Sequence, residues 1–286
     1  MRGRRGRRLD VGERRSVNVL LGILAWFAGL VFFFPVFWMV LSSFKSEQVA
    51  NGAPKLFFHP TLDRYRDVMG GTTGLLSFST AATNSATVVL LSTAFVLAMA
   101  IPAAYALAVH AIPRWRDALF FFISTKFLPI VASILPIWII ASTFHMLNAL
   151  TTLVVLYTAI NLPLAIWMLR SFFAEIPREL IEASEIDGAK LRGQLTSVVL
   201  PLAAPGIAAT ALLCVIFAWN EYFYAVQLNP VNGSTIPIWV TSQVSTRGNF
   251  LARLSAASVL ACIPVVVAGW IAQKRMIRGL AMGAIK

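Results

Sequence analysis

Charge disappears from this chain for long stretches. Residues 16–44, 68–113, 127–169, 193–220, 222–246 and 254–273 contain no Asp, Glu, Lys or Arg. A helix needs roughly 20 apolar residues to cross a bilayer, and the run 127–169 is too long for one crossing, so it must turn back near residues 145–148. The pattern predicts six spans, at about 17–43, 85–110, 118–144, 150–171, 204–227 and 254–273. A closed barrel is the other way to satisfy backbone groups in lipid, but runs such as 20–40 lack the apolar–polar alternation a barrel strand needs. The expected fold is an all-α membrane protein with six transmembrane helices and a charged loop at about 173–200, between spans four and five.

Composition sharpens this. Of 286 residues, 58% are hydrophobic and 13% charged, which cannot clothe a soluble domain of this size. The net charge of +12 would suit nucleic acid, yet its placement excludes that partner. Seven arginines crowd the first fifteen residues, and the 2–3 and 4–5 connections and the C-terminus carry most of the other basic residues. Seventeen basic residues fall on this side of the bilayer, six on the other and Lys126 within a span. Positive charge stays inside, so both termini are expected in the cytoplasm, as an even number of spans requires. The basic tail, residues 1–15, reads as an anchor on anionic lipid headgroups. The apolar run behind it is long and lacks a small-residue cleavage site, so it reads as a retained helix rather than a signal peptide. Residues 16–286 form one membrane domain. Its external loops lie at about 45–83, with a short helix expected over 63–69 or near Leu56-Phe57-Phe58, and at about 228–253, with Asn229-Pro230 and Asn232-Gly233 as turn signals.

Within the spans, Cys214 and Cys262 read as small apolar residues, and His59, His110 and His145 as interfacial. Pro102, Pro129, Pro136, Pro163 and Pro264 should kink their helices. Pro129 and Pro136 share nearly one face, which fits either packing geometry or a flexible helix lining a path. Gly-x-x-x-x-Gly-Lys-Ser/Thr, His-Glu-x-x-His and Gly-x-Ser-x-Gly are all absent from the sequence, and no nucleophile–base pair stands out. Nothing therefore marks an active site or a cofactor held by this chain.

The chemistry sits in the charged loop. Pro177 suits a first helical position, and a short helix should end at Gly188, which tolerates the left-handed backbone of a C-terminal cap. A second helix then leads to Pro201 and Pro205 at the entry to span five. Two short helices joined at a glycine make a knob projecting from the bilayer. Glu182-Ala183-Ser184, three residues, Gly188, nine residues, Val198, one residue, then Leu200-Pro201 resembles the loop motif of inner-membrane permease subunits of ATP-binding-cassette importers. Asn84-Ser85, the stretch from Pro102 to Ala108, Glu175-Ile176-Pro177, Trp219-Asn220-Glu221 and Arg278-Gly279-Leu280 with Gly283-Ala284-Ile285-Lys286 extend the resemblance to the carbohydrate branch, in the manner of the second maltose-permease subunit. Ser184 departs from it, where the motif usually has Ala.

The resemblance implies a bacterial cytoplasmic (inner) membrane protein that imports a sugar or polyol by alternating access. It implies a second permease subunit, two ATP-binding-cassette ATPases that hold ATP and Mg, and an extracytoplasmic solute-binding protein. Carried over, Glu182, Ala183, Ser184, Asp187, Gly188 and Ala189 would contact the ATPase, and the tail at 283–286 would reach toward it. The strings Ser124-Thr125-Lys126-Phe127-Leu128-Pro129 and Asn161-Leu162-Pro163 are similar to those of sugar-alcohol permeases. Two readings stand for Lys126: snorkelling or helix pairing, and a place near the solute pathway. Two also stand for Asn220 and Glu221: members of an interfacial belt, and contacts to the binding protein or gate. The rival to the importer is an ATPase-independent secondary transporter or channel, which would show more buried charge or an internal repeat.

Overall fold

The computed structural model describes residues 11–70, 77–109, 112–229, 234–244 and 250–283, with side chains from residue 18 to 273. The basic tail before residue 11, Gly71, His110, the turn signals at 230–233 and the last three residues of the C-terminal tail lie outside the described residues.

Every regular element among the described residues is helical. The order is α1 (Val11–Ser43), α2 (Glu47–Ala50), α3 (Asp63–Met69), α4 (Phe78–Val109), α5 (Trp115–Ser124), a 3-10 turn (Thr125–Phe127), α6 (Ile130–Thr143) and α7 (Leu150–Ala174). There follow α8 (Arg178–Ile186), α9 (Leu191–Gly193), a π-helical turn (Gln194–Val199), α10 (Leu200–Leu202), α11 (Ala204–Trp219), α12 (Phe223–Leu228), α13 (Ile236–Ser242) and α14 (Leu251–Gly283). Among the described residues, four stretches are single helices long and apolar enough to cross a membrane: Asn18–Ser43, Phe78–Val109, Leu150–Ala174 and Leu251–Gln273. Two more crossings would each require a bent pair. Trp115–Phe127 meets Ile130–Thr143 at 93°, and Leu191–Leu202 meets Ala204–Trp219 at 79°.

The expected span at 118–144 is thus not one helix. A proline disfavours helical backbone in the residue before it, and Leu128 is extended (ψ 127°), as is Pro129 itself (ψ 124°). The chain breaks there instead of kinking. Pro102, Pro136, Pro163 and Pro264 sit inside α4, α6, α7 and α14 without ending them. The span expected over 204–227 also stops early, at Trp219, and resumes as the separate α12. Pro177 lies one residue outside α8, as its N-cap, rather than at its first position. The chain turns back at 145–148 as expected, where His145 (φ 55°) and Asn148 (φ 59°) adopt left-handed backbone. Of the two segments expected to make a surface helix, 63–69 does so as α3, whereas Leu56-Phe57-Phe58 is non-helical.

The core runs along α4 and α7, with α11 packed on both. One cluster of buried apolar side chains gathers Val88, Leu153, Tyr157, Trp219, Leu228 and Trp239; another gathers Val96, Ala104, Leu169, Phe173, Val199 and Cys214. Gly206 lets α11 press against α7, since a Cβ there would stand 2.3 Å from Cγ of Phe172. Cys214 is buried, Cys262 exposed, and both are free thiols. On α1, Trp26 and Phe32 are exposed, as expected of a helix whose surroundings are lipid or protein. The loop ends are pinned by polar contacts. The Glu47 carboxylate accepts the backbone N–H groups of Ala252 and Arg253 at 3.1 and 2.9 Å, in the first turn of α14. Asn84 Nδ2 donates to the Ser234 carbonyl, and the Ile236 N–H donates to Ser85 Oγ. Lys45, just past α1, is buried beneath the Trp38 and Phe58 rings (4.1 and 5.2 Å from Nζ). Burial lowers its pKa below the ordinary lysine value.

Candidate functional site

Two places carry the candidate residues: the elbow at α8 and a cavity between the broken spans. The α8 helix starts after the extended Pro177 and ends in a pair of reciprocal bonds. The Gly188 N–H donates to the Glu185 carbonyl and the Ala189 N–H to the Ser184 carbonyl, each at 2.9 Å. That pairing requires left-handed backbone between its two arms, and Gly188 supplies it at φ +80°. Nothing lies within 4 Å of where its Cβ would stand, so within this chain the glycine serves backbone shape rather than close packing.

The elbow has an anchored side and an open side. Ile181 is 5% exposed, and Ser184 is 9% exposed with its hydroxyl donating to the Ile181 carbonyl at 2.6 Å. Glu182, Ala183, Asp187 and Gly188 are exposed and Ala189 is half-buried. The structure therefore gathers five of the six expected contact residues on the open side or its edge and turns Ser184 inward. It adds a residue that the spacing had not singled out. Ile186, 87% exposed, is a bare aliphatic side chain among acids. It lies five residues from the anchoring Ile181, or about 140° around a helix of 3.6 residues per turn. That angle was the available signal.

The cavity, about 530 Å³, opens where the α5–α6 break faces α7 and the α11–α12 break. Backbone that leaves the helix at membrane depth is tolerated where it lines a cavity or is buried in protein, and the 3-10 turn brings Thr125 and Lys126 to this wall. Lys126 Nζ lies 5.8 Å from the Phe217 ring centre and makes no ion pair among the described residues. Glu221 also faces the cavity. Its carboxylate accepts from Tyr157 OH at 2.8 Å and from the Tyr224 and Ala225 N–H groups at 2.9 and 3.1 Å. Glu221 thereby caps α12, which explains why the helix restarts there. Asn220 is exposed and does not line the cavity; its amide donates to the Ile216 carbonyl at the end of α11. Ser133 and Tyr224 share a 2.6 Å hydrogen bond in the wall. Asn161 is 2% exposed, and its Oδ1 has no hydrogen-bond partner among the described residues. Tyr157, Ser133 and Tyr224 escaped the sequence reading because their partners lie far along the chain. Chemically the wall carries an ammonium, a carboxylate and hydroxyls in an otherwise apolar lining, groups that can hydrogen-bond a polar solute.

Comparison with known proteins adds to this geometry. Residues 97–280 match the family described as binding-protein-dependent transport system inner membrane component. Over 274 residues the chain is 32% identical to the probable ABC transporter permease protein y4oR of Sinorhizobium fredii, covering 95% of this chain and 97% of that protein. It is 30% identical over 271 residues to the trehalose/maltose transport system permease protein MalG of Thermococcus litoralis, covering 94% and 97%. With the sulfoquinovosyl glycerol transport system permease protein SmoH of Agrobacterium fabrum it shares 33% over 256 residues, 88% of each. Among solved structures, a bacterial ABC transporter involved in the import of the acidic polysaccharide alginate contains a chain that superposes with a TM-score of 0.72. That match covers 94% of this chain and 99% of the other at 22% identity, a likeness of fold.

Proposed function

This chain belongs to the family of inner membrane components of binding-protein-dependent transport systems, the permease subunits of ABC transporters, and from that premise we propose that it imports a sugar or polyol by alternating access. In this reading six spans cross the bacterial inner membrane, each bent pair counting as one, with both termini and the elbow in the cytoplasm. A second permease subunit completes the pathway. Two ATPase subunits bind ATP and Mg, one of them gripping the elbow in its cleft, and an extracytoplasmic binding protein delivers the solute.

The observation that carries the proposal is the elbow itself. A helix closed at Gly188, with Ile186 bare beside exposed Glu182, Ala183 and Asp187, has the form of a knob made for a cleft. Its apolar tip supplies the buried contact, the small Ala183 permits close approach, and Gly188 sets the bend. Closure of the ATPases then moves α8 as a rigid body and shifts the spans behind it. The cavity is the solute's passage, with Lys126, Asn161 and Glu221 on its wall. Several named relatives are carbohydrate permeases, which supports a saccharide or polyol class.

The test is reconstitution with the partner subunits. ATP hydrolysis should rise with the binding protein and one member of a panel of sugars and polyols, and tagged chain extracted in mild detergent should carry the ATPase with it. Extraction that brings down no ATPase would overturn the reading.

A further inference from the structure

The elbow is joined to the membrane helices by more than chain continuity. Gln194 opens the π-helical turn that follows α9, and it is 5% exposed. Its amide makes three hydrogen bonds. Tyr105 OH donates to Oε1 at 2.8 Å, while Nε2 donates to the Glu185 carboxylate at 3.2 Å and the Ala189 carbonyl at 3.3 Å. Glu185 and Ala189 flank the Gly188 turn, and Tyr105, 2% exposed, lies in the inner part of α4. The orientation of the amide follows from chemistry. A carboxylate and a backbone carbonyl only accept, so both must face the NH2 group, which leaves the oxygen for the phenol. A π turn inside a helix frequently marks a functional site, and here it begins at the residue that makes the link.

At its other end α4 is fastened to the outer loops. Twenty residues before Tyr105, about 30 Å along a helix, Ser85 accepts the N–H of Ile236 and Asn84 donates to Ser234. One helix therefore has a polar fastening to the elbow at its inner end and to α13 at its outer end. Apolar contacts can slide under load, whereas hydrogen bonds fix register. We infer that Gln194 is the joint that delivers movement of the elbow to α4, and that α4 carries it as a rod to the outer loop at 234–244. Gln194 and Tyr105 act as positioning residues for coupling. The inference rests on the elbow being the ATPase contact, as proposed above.

A line of contacts is a transmission path only if both ends bias the same element, so the test must read the far end. In the reconstituted complex, with Cys214 and Cys262 replaced, an environment-sensitive fluorophore on Thr241→Cys reports α13. Thr241 is exposed on α13, and the readout needs no solute. ATP should change the wild-type signal. Tyr105→Phe and Gln194→Met keep the ring and the side-chain length but remove the bonds. Each should reduce the ATP-driven amplitude at least about fivefold, in the range of typical site–site coupling, while ATP hydrolysis per assembled complex stays within about twofold. The double variant should be no worse than either single. An unchanged amplitude overturns the inference. So does a parallel fall of hydrolysis and amplitude, which marks a purely structural role, or wild-type hydrolysis with a silent α13. If wild-type chain assembles with no ATPase at all, the importer reading fails and the joint falls with it.

Discussion

Gly188 holds φ +80° in open space, so its replacements should be ranked by backbone tolerance before size. Asn enters the left-handed region readily, whereas a β-branched residue there is a severe outlier. The cost for an ordinary L-residue is about 1–2 kcal/mol. Gly188→Asn should keep most ATP-driven uptake, and Gly188→Val should lose it about tenfold with the amount of inserted protein unchanged, as uptake per immunodetected chain would show. At Asn161 the signs should part. A buried acceptor without a partner costs about 1–3 kcal/mol, so Asn161→Leu should raise the Tm of the detergent-extracted protein while lowering uptake. A fall in both would make Asn161 a structural residue. Gly188 was legible in the sequence because a helix cap demands its backbone, and the turn at 145–148 because the charge-free run 127–169 is too long for one crossing. Tyr157, Ser133, Tyr224 and Gln194 were not, because their meaning lies in partners 64 to 91 positions away or across a turn, and no local pattern encodes those.

The long helices were readable from hydropathy, because lipid asks only for length and apolarity. The breaks were not, since hydropathy counts residues without regard to direction. Leu128-Pro129 falls inside the third expected span and Trp219-Asn220-Glu221 toward the outer end of the fifth, yet a pre-proline backbone restriction and a carboxylate cap make helix ends of both. Packing between elements gives two further outcomes. Gly206→Ala places a methyl against the Phe172 ring and should cost about 1–3 kcal/mol as an overpacked contact. Phe172→Leu should restore part of that loss in a double-mutant cycle, scored by thermal unfolding in detergent. Glu47→Ala strips the cap from α14 and should cost about 1 kcal/mol, with Glu47→Gln closer to wild type in the same assay.

At the scale of the molecule, α4, α7 and α11 form a packed core, and α7 and α11 share the wall of a cavity with the interrupted spans. Movement of the elbow need not distort that core if it is delivered to whole helices, and the helix ends at Leu128 and Trp219 lie beside the proposed passage. Pro177 and Gly188 made the knob itself legible in the sequence, but its use came only through the resemblance to a family; which side is open becomes evident once Ile181 and Ser184 are seen to anchor it and Ile186 to stand free. Whether a separate motor holds that knob is the claim on which the rest depends. The direct measurement is thiol labelling of Ile186→Cys, with Cys214 and Cys262 replaced, by a membrane-impermeant maleimide. Labelling is expected from the cytoplasmic face only, and it should be blocked when the ATPase subunits assemble. Labelling from the outer face, or at the same rate with and without the ATPases, would contradict it.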